Sequence, residues 1–156
     1  SLKSSRCNFL LSGLFVINDS RKSTNANFQC INISFILLGT FRGRIVSLSS
    51  INGVKGQIGQ ANYSAAKAGL IGFTKAIAQE NANKGITVNI IAPGYVGTDM
   101  VKKIDPKILQ GIVGQIPVGR LAEPTEIAAL ASYLCSDEAG FITGATMNIN
   151  GGQYMQ

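Results

Sequence analysis

The run RIVSLSSINGVKGQIGQANYSAAKAG, Arg44 to Gly69, decides how this chain folds. Its opening, Arg44 to Ser49, reads as a buried strand that ends at Ser50. Three glycines, Gly53, Gly56 and Gly59, then mark a loop over residues 51–60. From Asn62 to about Lys84 the pattern predicts a long helix. Leu70, Phe73 and Ile77 give it a larger apolar face, and Ala65, Gly69, Gly72 and Ala76 a small-residue face. Gly85 supplies a C-terminal stop. Further out, Ile86 to Ile91 reads as a second strand halted by Pro93-Gly94. Pro106 to Gln115 and Pro124 to Ser136 read as helices, and Ala145 to Ile149 as a last strand. Strands that alternate with helices predict an α/β fold with a parallel sheet covered on both faces.

Two side chains in the opening run carry chemistry. Tyr63 and Lys67 stand four residues apart, so a helix puts phenol and ammonium on one face. A cation beside a phenol favours the phenolate and makes the tyrosine a usable general acid. A lone Tyr-x-x-x-Lys is more often an amphipathic coincidence. Its company is what counts here: Ser50 at the carboxyl end of the strand, where open α/β sheets bind ligands, and Val88-Asn89-Ile90-Ile91-Ala92-Pro93-Gly94 downstream. Ser47 and Ser49 compete with Ser50 on the same strand.

In order and spacing, Ser50-Ile51-Asn52-Gly53, Asn62-Tyr63-Ser64-Ala65-Ala66-Lys67, Pro93-Gly94-Tyr95-Val96-Gly97-Thr98, Gly119-Arg120, Ile142-Thr143-Gly144 and Asn150-Gly151-Gly152 resemble the short-chain dehydrogenase/reductase family. The resemblance runs from Gly43 to Gln156 and covers the family's C-terminal half. It implies a Rossmann-like, doubly wound parallel sheet of which only that half is present. It implies Ser50, Tyr63 and Lys67 as catalytic residues in hydride transfer from a nicotinamide to a ketone. Pro93, Gly94, Val96 and Thr98, with Tyr63 and Lys67, are implied in cofactor binding. NADPH is the expected cofactor, with NADH open, because the residues that choose between them belong to the other half.

Within the family, Gln57, Gln60 and Tyr95 resemble the substrate residues of members that reduce acetoacetyl-CoA. Members acting on 3-oxoacyl groups of acyl carrier protein come second. Ser50 would also touch the substrate. The segment from Thr98 to Arg120 corresponds to a substrate lid, with Lys102, Lys103 and Lys107 on it. The family also implies a homo-oligomer, dimer or tetramer, built on the long helix.

Composition bounds the rest. The chain has 156 residues, 46% hydrophobic and 14% charged, enough for a packed core. It contains no histidine, which excludes Ser-His-Asp and Cys-His chemistry and most zinc sites. Cys7, Cys30 and Cys135 show no disulfide framework or metal-ligand spacing, so no metal is expected and a cytoplasmic setting is. No apolar run reaches membrane length and no signal peptide is legible. The net charge is +6, but Lys and Arg are not clustered with aromatic residues as nucleic-acid binding would require.

The chain changes character near Phe41-Arg42-Gly43. Residues 1–42 are rich in Ser and Asn and show no sustained period, and they read as a segment apart from 43–156. They contain only Gly13 and Gly39, not the glycine-rich turn that cradles a dinucleotide pyrophosphate. No asparagine there has the setting of the family's catalytic one. With Ser1 first and Met100 the first methionine, the chain reads as a fragment. The competing functional expectation is a truncated, non-catalytic polypeptide that binds no cofactor.

Overall fold

A computed structural model describes residues 14–18 and 43–155. Most of the segment 1–42, with Cys7 and Cys30, lies outside the described residues, as does the side chain of Lys102. The described elements run β1 (Leu14–Asn18), β2 (Gly43–Leu48), α1 (Ile51–Lys55), α2 (Ala61–Asn81), β3 (Ile86–Pro93), α3 (Asp99–Lys102), α4 (Pro106–Val113), α5 (Pro124–Leu134) and β4 (Thr146–Ile149).

The sheet has the order β1-β2-β3-β4. β2, β3 and β4 are mutually parallel, with Ile45 opposite Val88 and Ile91 opposite Met147. Every residue of β3 from Ile86 to Ala92 is buried, the near-continuous apolar run of a strand covered on both faces. Strand alternation sorts its neighbours into two cores. On one face Val46 and Ile91 pack with Ala131 and Leu134 of α5. On the other, Ile45, Ile86 and Val88 pack with Ala78 of α2. This is the expected doubly wound arrangement.

Three local readings need correction. Residues 51–55 are not loop but the short helix α1. The Ser50 side chain caps it by accepting from the Asn52 N–H at 3.2 Å, and that cap outweighs the glycine at 53. α3 was not expected at all. Within the segment read as having no period, Leu14–Asn18 forms β1, antiparallel to β2, with Leu14 opposite Ser47. Five residues are too few to display a period, yet Leu-Phe-Val-Ile is a favourable strand composition, and pairing occupies an otherwise open sheet edge.

Two buried polar groups close the sheet. Arg44, 8% exposed, donates to the carbonyls of Ser136, Gly43 and Gly85 and meets the Asp137 carboxylate at 3.5 Å. Asn89, fully buried, donates to the Ile142 carbonyl at 2.7 Å and accepts from the Ala145 N–H at 3.0 Å, which steers the chain into β4. Replacing Asn89 with Leu strips both partners at once. An unfolding titration in urea is expected to show a loss of roughly 2 kcal/mol or more.

Candidate functional site

The site is assembled where β2 ends. The alternation that turns Ile45 toward α2 also turns Ser47 and Ser49 that way, and both are buried. The Ser49 hydroxyl donates to the Lys67 carbonyl at 2.9 Å. Ser50 follows as the α1 cap. Its oxygen accepts from Asn52, which leaves its own proton to donate elsewhere. The three serines therefore have different situations, and Ser50 is the half-buried one.

α2 brings Tyr63 and Lys67 to this end of the strand. The Lys67 ammonium donates to the Leu48 carbonyl at 3.0 Å and lies 5.8 Å from the centre of the Tyr63 ring. The tyrosine is 43% exposed. Phenol and ammonium thus stand side by side above the carboxyl end of β2, open to a ligand.

Contact between α1 and α2 depends on Gly53. A Cβ at that position would stand 2.8 Å from the carbonyl carbon and Cβ of Lys67 and from the Ser49 hydroxyl. The sequence marks Gly53 only as one of three loop glycines and as part of the Ser50-Ile51-Asn52-Gly53 landmark, and this packing role emerges from the fold. So does the contact of Asn52, whose amide donates to the Gln60 side-chain oxygen at 2.9 Å and ties the residue before α2 to α1. Gln57 and Gln60 are exposed on the intervening loop.

Pro93, Gly94, Tyr95, Val96 and Thr98 leave the carboxyl end of β3, the same end of the sheet as Ser50. Gly94 has a packing explanation of its own, since a Cβ there would come 3.0 Å from Asn150, and its N–H donates to the Ile149 carbonyl. The Val96 carbonyl accepts from the Thr98 N–H, and the Gly97 N–H donates to Ala122. Tyr95 lines a cavity of about 210 Å³ with Ile116, Val118, Arg120, Glu126 and Asn150. None of Ser50, Gln57, Gln60, Tyr63 or Lys67 lines that cavity. Among the described residues no cluster of His, Cys, Asp or Glu could hold a metal ion, and no helix is long and apolar enough to cross a membrane.

Arg120 grips Glu126 through two hydrogen bonds of 2.8 Å, and the Glu123 N–H donates to the same carboxylate. These bonds, the arginine's first, hold the Glu126 carboxyl down from 4.5 to about 2. Because it titrates lower in the folded chain than in the unfolded one, its contribution to stability is complete above about pH 4.5. That contribution falls away as the pH drops toward 2. Thermal unfolding across that window is expected to lose part of its pH dependence in Glu126→Gln. Gly53→Ala is expected to cost roughly 1–3 kcal/mol through overpacking, measured by the same unfolding at neutral pH.

The family model described as enoyl-(acyl carrier protein) reductase matches residues 22–153. The chain is 68% identical over 113 residues to an acetoacetyl-CoA reductase of Shinella zoogloeoides, covering 72% of this chain and 47% of that protein. It is 65% identical over 113 residues to an acetoacetyl-CoA reductase of Rhizobium meliloti, with the same two shares. To the 3-oxoacyl-[acyl-carrier-protein] reductase FabG of Salmonella typhimurium it is 52% identical over 113 residues, 72% of this chain and 46% of that one. The chain spans about half the length of the curated relatives it matches. With a parallel sheet wound on both faces, a tyrosine and lysine above its carboxyl edge and a family match over most of its length, the chain belongs to the short-chain dehydrogenase/reductase family.

Proposed function

We propose that this chain carries the proton-delivery residues of a reductase that converts a 3-oxoacyl thioester to the 3-hydroxyacyl thioester. The observation that carries the reading is the Lys67 ammonium, anchored on the Leu48 carbonyl beside the Tyr63 ring, at the same strand end that leads into Ser50. Acetoacetyl-CoA is the favoured substrate and 3-oxoacyl-acyl carrier protein the second, following the relatives' names and the amides of Gln57 and Gln60. A short polar ketone suits amide side chains better than a long acyl chain does.

NADPH is the proposed reductant, with NADH the alternative, and when bound it supplies a hydride to the ketone carbon. The chain's residues manage the oxygen. As the carbonyl electron pair moves onto oxygen, Tyr63 donates its phenolic proton there, which completes the alcohol. Ser50, with its own proton uncommitted, hydrogen-bonds the same oxygen and fixes its place. The Lys67 ammonium offsets the charge left on the phenolate and would hold the nicotinamide ribose hydroxyls when the cofactor is bound. Pro93, Gly94 and Thr98 shape the loop that would meet the nicotinamide. The Val96 carbonyl is engaged by Thr98, so its N–H is the group proposed to meet the carboxamide. Tyr95 is proposed to face the acyl group from the lid side.

The outer face of α2 suits a second copy of the chain. Ala65, Gly69, Gly72 and Ala76 are exposed along it, and a Cβ on either glycine would meet nothing within 4 Å. We take the intact protein to be a cytoplasmic homo-oligomer, dimer or tetramer, acting on a small-molecule or carrier-bound thioester, without nucleic-acid or membrane partners.

One observation favours a second reading, a non-catalytic polypeptide: residues 1–42 contain no glycine-rich turn for the pyrophosphate. NADPH fluorescence with the purified chain, followed by NADPH oxidation on acetoacetyl-CoA, separates the two. Binding and turnover are expected, with Tyr63→Phe lowering turnover about 10²–10⁴-fold while folding is unchanged. A chain that leaves NADPH fluorescence untouched overturns the enzymatic reading for this polypeptide.

A further inference from the structure

We propose that Ser49, the serine before the catalytic one, is a positioning residue that sets where Lys67 stands against Tyr63. Both ends of Lys67 are tied to consecutive residues of the β2 terminus. Its backbone carbonyl accepts from the Ser49 hydroxyl at 2.9 Å, and its ammonium donates to the Leu48 carbonyl at 3.0 Å. A lysine side chain held at both ends has few directions left, and this one lies alongside the Tyr63 ring.

The bond from Ser49 is not one the helix requires. Lys67 lies well inside α2, where a carbonyl already accepts from within the helix. The serine hydroxyl therefore adds a second donor whose effect is to locate α2 on the strand. Ser49 itself is fixed: it is 6% exposed, and its N–H donates to the Ile91 carbonyl at 2.7 Å. Strand β3 thus holds Ser49, Ser49 holds the Lys67 backbone, and Gly53 leaves the space in which they meet. A displacement of about an ångström at a proton donor is enough to slow a reaction severely, so a hydroxyl that touches no substrate can govern the rate.

The inference rests on the reading of Tyr63 and Lys67 as the proton-delivery pair, and the test has an arm that needs no activity. In the full chain with ¹³C-labelled tyrosine and lysine, Ser49→Ala is expected to move the Tyr63 ring and Lys67 Cε resonances and weaken the contact between them. Tyr133 and Tyr154 should stay in place, and Ser49→Thr, which keeps the hydroxyl, should restore the wild-type signals. Spectra of Ser49→Ala that superimpose on wild type at Tyr63 and Lys67 overturn the proposal. Where the wild type reduces acetoacetyl-CoA, kcat of Ser49→Ala is expected to fall roughly tenfold or more with KM within about twofold. An unchanged kcat also overturns it. An inactive wild type counts against the proposed function alone, and the resonances then decide the role of Ser49. Should Ser49→Ala not fold, Ser49→Cys, a weaker donor of similar size, is read by the same criteria.

Discussion

The approach of α2 to the carboxyl end of β2 is the constraint on which the rest of the site depends. Lys67 and Gly53 meet there at a separation that admits no methyl group, and the lysine closes it with its own side chain on Leu48. A looser crossing would leave the phenol and ammonium of α2 with nothing to fix their distance from the serine that caps α1. The two cores serve this crossing. Ala78 and the β-branched residues of β2 and β3 hold the far half of α2 against the sheet, while α5 secures the opposite face.

Polar groups are spent in the same direction. Arg44 gathers three carbonyls at the start of β2, and Asn89 satisfies both halves of its amide inside the sheet. Burying such groups is tolerable only when each finds a partner. The effect is a sheet whose strands start from fixed points, Arg44 at the amino ends of β2 and β3 and Asn89 at the entry to β4. Asn150, against Gly94, packs together the carboxyl ends of β4 and β3.

Much of this was legible in the chain itself. β2, β3, α2 and α5 follow from apolar runs and from punctuation at Gly85 and Pro93, and the pairing of Tyr63 with Lys67 follows from helical spacing alone. What stayed hidden was decided by contact between distant segments. α1 reads as loop from the three glycines of residues 51–60, and the cap from Ser50 that makes it a helix shows only in the fold. Ser49 reads as a rival of Ser50 and Gly53 as part of the turn after it, but their contacts stay hidden because the partner, Lys67, lies on α2, 18 residues away for the serine. β1 escaped because five residues cannot show a period, and its pairing depends on an edge that only the folded sheet provides. Tyr95 was grouped with the two glutamines by resemblance, whereas its cavity opens between the ends of β3 and β4 and the segment after α4.

The alternation in β2 has a consequence for how this chain can vary in length. Ile45 faces one core, Ser49 reaches Lys67 from that same face, and Ser50 must arrive one step later as a helix cap. Adding or deleting a single residue between them would exchange the two faces and send the wrong side chain to each place, so the stretch from Ile45 to Ser50 is locked in count. The loop from Gly56 to Gln60 is under no such alternation: its side chains are exposed, and what constrains it is local, the left-handed φ of 74° at Gly56 and 80° at Gly59 and the bond from Asn52 to Gln60. A change at Gln57 or Ile58, between those two glycines, would therefore alter the groups offered to a substrate while the strand beneath keeps its registration.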